Sequence, residues 1–218
     1  MFKNIENKSL IEKLLFSPII INKTLAKKIA YIAVISAFLT VSNSFFEIRF
    51  LDVQFSLTIV LSALAGIIIG PLSAFISCMV SDGIGFIINS WGYLYMPWVG
   101  LTTAVTAFVS GCIYYFISFK FKGGNVVKLF LICLSSLILG TVLINTTGFY
   151  FYNYYMGFST AVLDYVSATF GTNVNYFAYL IYRLFFKGQI FNCIVNYALI
   201  FILTPIILNI PLFKKDLQ

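Results

Sequence analysis

Between Ile29 and Ile210 the sequence lays down six long runs that carry almost no charge, parted by short polar or basic connectors. Inside hydrocarbon every backbone amide and carbonyl must be paired within the chain, so runs of this kind read as membrane-spanning helices. A span takes about 20 apolar residues, range about 17–25. The first run, 29–46, has 18 residues. The others cover roughly 53–69, 72–88, 98–119, Lys128 to Phe149, and 188–210. Only 10% of the residues are charged, against about 25% in a soluble domain. The expected fold class is an all-α membrane protein, with six transmembrane helices in a compact bundle. A basic segment over 1–28 precedes one six-helix transmembrane domain over 29–213, which includes an extended external segment at about 150–182.

Charge sets the expected orientation. Six lysines precede the first run, three lie in the 120–128 hairpin and two follow the last run, so 11 of the 14 bases share one side. The positive-inside rule makes that side cytoplasmic and places both termini there. Arg49, Arg183 and Lys187 are left outside, and a net charge of +7 distributed this way describes topology and not nucleic-acid binding. In the N-terminal segment, Ser9 and Glu12 form a capping box for a helix that Pro18 ends. Its apolar run, 14–21, is too short to span and lacks a small-residue cleavage site, so it reads as a helix on the anionic lipid surface and not as a signal peptide. Multi-pass insertion in a bacterial cell membrane is the expected localisation.

Ligand-binding candidates concentrate on the external side. Ten of the fourteen tyrosines and both tryptophans fall in or beside its connectors, whereas a plain interfacial belt populates both faces. Asp82 is a lone carboxylate inside the third run, flanked by Gly83 and Gly85. A residue of that kind faces protein or water, so it either accepts a hydrogen bond from a ligand or braces its span. Trp91, Tyr93 and Tyr95 in the next turn are placed to stack on a planar ring. Asn145 and Thr146, near the outer end of the fifth run, offer polar contacts. Arg183 and Lys187 stand one helical turn apart and suit an anionic group, the alternative being snorkelling to outer headgroups. In the first run Ala30, Ala33 and Ala37 line one helix face, with small residues that let another helix approach, either a partner's or one of this bundle's own. Gly66-x-x-x-Gly70 has the same character, with internal packing favoured.

Chemistry is scarce. There is no histidine, and Cys78, Cys112, Cys133 and Cys193 each sit in an apolar run without a CxxC. Neither a metal site nor a cofactor is expected, and the cysteines read as buried packing residues. No phosphate loop, HExxH or nucleophile elbow occurs. An intramembrane lipid-modifying enzyme would need more acids or a histidine at membrane depth, and a self-sufficient ion-coupled transporter usually shows repeat symmetry or interrupted helices, neither of which is found. Energy for uphill transport therefore has to come from a partner or an ion gradient.

Three stretches carry a family resemblance: IIIGPLSAFISCMVSDGIGFII (67–88), GYLYMPWVGLTTAVTAFVSG (92–111) and the Asn145–Thr146 pair. With Arg183 and the alanines of the first run, they make the chain resemble the substrate-binding S components of energy-coupling factor (ECF) vitamin transporters, the folate-type family most closely. The resemblance implies a six-helix bundle with an outward cup for a vitamin, folate favoured, and no transport energy of its own. It also implies docking through Ala33 and Ala37 onto a transmembrane T component with two ATPases, and toppling of the bundle in the lipid to carry the vitamin inward. The segment between Asn145 and Arg183 is longer than in the folate type, and prolines around the arginine are missing. Pantothenate, cobalamin or a queuosine precursor therefore stay open as cargo.

Overall fold

A computed structural model describes residues 9–45, 47–50, 53–90, 94–119, 121, 123–211 and 213. The chain begins with a short helix, α1 (Leu10–Leu15), started by the expected capping box: the Ser9 hydroxyl accepts from the Glu12 amide at 3.2 Å, and the Glu12 carboxylate accepts from the Ser9 amide at 3.3 Å. The apolar run that follows does not lie along a surface. Ile19, Ile20 and Ile21 are buried, the first two in the main core, and Ser17 is tied to the end of α3 (Thr58–Ile69) through the Ile68 and Ile69 carbonyls. A proline at 18 stops the helix, and the three isoleucines gain more by packing on protein than on lipid headgroups.

α2 (Leu25–Phe45) packs on α4 (Pro71–Ile88) through small polar residues: Ser81 donates to the Ser36 carbonyl at 3.0 Å, and the Asn89 amide group donates to the Ser44 carbonyl at 3.1 Å. An antiparallel hairpin follows α2, β1 (Glu47–Phe50) with β2 (Val53–Ser56), in register Glu47↔Ser56 and Phe50↔Val53. The run at 53–69 therefore departs from expectation. It forms a strand and then the 12-residue α3, about 18 Å long, short of the ~30 Å of hydrocarbon. Ten of those twelve residues are buried, because α3 is wrapped by the other helices and not by lipid.

At its crossing with α5 (Pro97–Phe116), a Cβ on Gly66 would lie 2.0 Å from the Ala107 carbonyl oxygen, and one on Gly111 would lie 2.7 Å from the Gly66 oxygen. Only paired glycines allow this approach, so Gly66 serves internal packing, as favoured.

After α5, α6 (Gly124–Ser135), a π-helical stretch (Ser136–Thr146) and α7 (Thr147–Met156) form one continuous rod of 33 residues. α8 (Thr160–Phe170) supplies a short helix in the long segment; α9 (Tyr176–Ile181) continues as π-helix through Tyr182–Phe186, and α10 (Gln189–Leu208) closes the bundle. Among the described residues, five helices are long and apolar enough to cross a membrane: α2, α4, α5, the rod and α10. Asn192 and Asn196 of α10 reach across to the start of α3, accepting from the Ser56 amide at 3.1 Å and the Val60 amide at 3.0 Å. The Val60 amide, in the first turn of α3, has no partner within its own helix. Because the long helices alternate in direction, the β-hairpin, the start of α5 and α8 gather at one end, the hairpin end. The main core fills the middle, and a second small core of Val162, Val166, Ala178, Tyr179 and Tyr182 joins α8 to α9.

Candidate functional site

Pro97 opens α5 at the hairpin end, and its fixed φ puts Trp98 in the first helical turn. The Trp98 indole lies against Gly148 of α7, where a Cβ would sit 2.4 Å from the indole Cγ. Phe149, the next residue, meets the indole edge-on with centroids 5.7 Å apart, and Tyr152 lies 5.9 Å away. On Phe149 rests Arg183, its Cζ 3.9 Å from the ring centroid. A guanidinium over an aromatic face is favourable by about 0.5–2 kcal/mol. Arg183 also hydrogen-bonds Tyr179, four residues back, and the Tyr179 oxygen accepts from Asn153 of α7 at 3.0 Å. Asn145 stands about one turn before Phe149 on the same rod.

Three buried polar atoms here lack hydrogen-bond partners among the described residues: Trp98 Nε1, Asn145 Oδ1 and Arg183 Nε. Each such group costs about 1–3 kcal/mol if it stays unpaired. Two donors and one acceptor on elements that meet at Phe149 make a surface suited to a flat, polar molecule. Among the described residues Arg183 pairs with no carboxylate, so its charge is available to an anion.

Asn145 and Arg183, both expected in the site, thus each lie next to Phe149, Asn145 one turn before it on the rod and Arg183 over its ring. Thr146, expected as a polar contact, is fully buried, and its hydroxyl donates to the Thr141 carbonyl at 2.8 Å. That proton is committed to the rod's own backbone, so Thr146 shapes the turn instead of offering a free donor. Lys187 forms the C-cap after Phe186, its amide bonded to the Tyr182 carbonyl at 3.0 Å. Trp91 and Tyr93 lie outside the described residues. Tyr95 packs at a tilt against Phe86, with centroids 5.1 Å apart, and hydrogen-bonds the Asp82 carboxylate. Asp82 also fills the space over Gly100, where a Cβ would be 2.5 Å from its Oδ2. Bracing α4 against α5 is therefore a role Asp82 has in this fold.

Trp98, Phe149, Tyr152 and Tyr179 went unrecognised in the sequence. The available signal was spacing: Phe149 follows Asn145, and Tyr179 precedes Arg183, by four residues. On the far side of the bundle Ala30, Ala33 and Ala37 are all exposed, so the stripe is not packed within this chain.

The family described as "ECF transporter, substrate-specific component" matches residues 27–208. A crystal structure of FolT bound with folic acid shares the fold with a TM-score of 0.50 and 22% identity, over 81% of this chain and 92% of that one. No curated protein gave a significant sequence match. Matched over most of its length, this chain belongs to the family of ECF transporter substrate-specific components, substrate-binding subunits of membrane transporters and not enzymes.

Proposed function

We propose that the chain captures folate or a closely related vitamin outside the cell and hands it to an ATP-driven partner module. The observation that carries this reading is the Arg183 guanidinium resting on Phe149, with unpaired polar atoms of Asn145 and Trp98 beside it. A folate has a flat, hydrogen-bonding pterin and a carboxylate tail, and this site supplies aromatic faces, two donors, an acceptor and a cation. Arg183, with Lys187 one turn on, holds the carboxylate; Trp98, Phe149 and the turn residues Trp91, Tyr93 and Tyr95 flank the ring. Asn145 contacts its edge, and Asp82 supports the α4–α5 wall. Both termini are cytoplasmic, and the bundle has six membrane-level helices, with α3 enclosed by the others.

The exposed stripe of Ala30, Ala33 and Ala37 supports docking of a transmembrane T component that carries two ATPases. Lipid covers the remaining apolar surface, as in any multi-pass protein of the bacterial cell membrane.

The test is to purify the chain in detergent, identify co-purified small molecules by native mass spectrometry, and titrate the stripped protein with folic acid. Saturable one-to-one binding of folic acid is expected. Recovery of pantothenate, cobalamin or a queuosine precursor instead, with no folic acid binding, would overturn the cargo and leave the family intact.

A further inference from the structure

The rod that carries Asn145 is π-helical from Ser136 to Thr146, and three hydroxyls grip its last turns. Thr146 donates to the Thr141 carbonyl at 2.8 Å, and the Thr147 hydroxyl lies 3.5 Å from the Val142 carbonyl. Both span five residues, the step that distinguishes a π-helix from an α-helix. The third hydroxyl arrives from elsewhere. Tyr176 donates to the same Val142 carbonyl at 3.2 Å, and its oxygen lies 3.0 Å from the Thr147 hydroxyl. Its ring is fixed edge-on against Tyr150 at 5.5 Å, and the Asn175 cap, accepting from the Ala178 amide at 3.0 Å, fixes the start of its helix. Tyr176 and Arg183 share one unbroken helix, Tyr176–Phe186. The hydroxyl therefore joins the helix of Arg183 to the turn that carries Asn145.

We propose that Tyr176 is a positioning residue for the ligand site. Its hydroxyl locks the widened turn in the register that aims Asn145 inward, and so sets Asn145 against Arg183. This rests on the reading of that cluster as the vitamin site. An α-helical rod of the same sequence would turn Asn145 to a different face, and Val142 would lose its outside partner. The link also explains why the long segment ahead of α9 ends in a capped helix, since the clamp needs Tyr176 at a fixed height beside the rod.

Tyr176→Phe keeps the ring and removes only the hydroxyl. Hydrogen–deuterium exchange of the full chain in detergent needs no ligand. Amides 141–149 should exchange about fivefold faster in Tyr176→Phe, as loss of one hydrogen bond implies, while exposed Tyr154→Phe leaves them unchanged. Unchanged exchange over 141–149 overturns the clamp whatever the cargo. Folic acid titration gives the second arm: the Kd should rise about five- to tenfold in Tyr176→Phe, and less than about twofold when the substitution is made in Asn145→Ala. Equal losses in both backgrounds mean that Tyr176 only stabilises the fold, which also overturns the proposal. If wild-type protein fails to bind folic acid, the folate reading falls and the exchange arm alone decides the clamp.

Discussion

Arg183 spends its charge on an aromatic face and a phenol, with no carboxylate across from it among the described residues. A vitamin's carboxylate would complete the pairing, and hydrogen bonds to charged groups contribute about 1.5–3 kcal/mol. Arg183→Ala should therefore weaken folic acid binding roughly 10- to 150-fold in calorimetric titration. Arg183→Lys should recover part of the loss, because an ammonium lacks the guanidinium's paired donors. A pterin without the carboxylate tail should bind both forms alike, and unchanged binding of folic acid to Arg183→Ala would make the residue a headgroup anchor. Arg183 and Asn145 were legible in the sequence because polar residues are conspicuous in apolar runs. Trp98, Phe149 and Tyr179 were not, since at 18% aromatic content no single ring stands out and only the fold selects which ones meet.

α2 turns its serine-rich face to α4 and its alanines away from the bundle. Bulk added to the outward face should then spare the fold. Ala33→Leu combined with Ala37→Leu should leave folic acid affinity and thermal stability unchanged while reducing vitamin uptake and co-purification of the ATPase module. Loss of binding in the same variant would point to packing inside the bundle. The uncharged runs disclosed α2, α4, α5 and α10 nearly to their ends, because lipid demands length and apolarity together. They misjudged 53–69, where Val53–Ser56 pairs as a strand with the neighbouring Glu47–Phe50, and where Asn192 and Asn196 reach Ser56 and Val60 from more than a hundred residues away. The π-register of the rod was equally hidden, since no local residue pattern marks it and one of its hydroxyls comes from Tyr176.

The orientation proposed from the basic residues is open to direct measurement. With a membrane-impermeant maleimide on intact cells, Thr172→Cys should label and Asn125→Cys should not; both positions are exposed at opposite ends of the bundle. The reverse pattern would put the site on the cytoplasmic side and overturn capture from outside. Of the native cysteines, Cys78, Cys133 and Cys193 are buried and add no signal.

The rod bears on the surrounding lipid as well. Its 33 residues extend about 50 Å, some 20 Å beyond a ~30 Å hydrocarbon layer. The surplus at the hairpin end is FYFYNYYM, and Tyr154, Tyr155 and Met156 there are exposed. Such side chains are at home in either acyl chains or headgroups. Bilayer thickness can therefore change by several ångströms along the rod with little hydrophobic mismatch. α3, short as it is, faces protein and so escapes the constraint, which frees the bundle to tilt without stranding either helix in the wrong solvent.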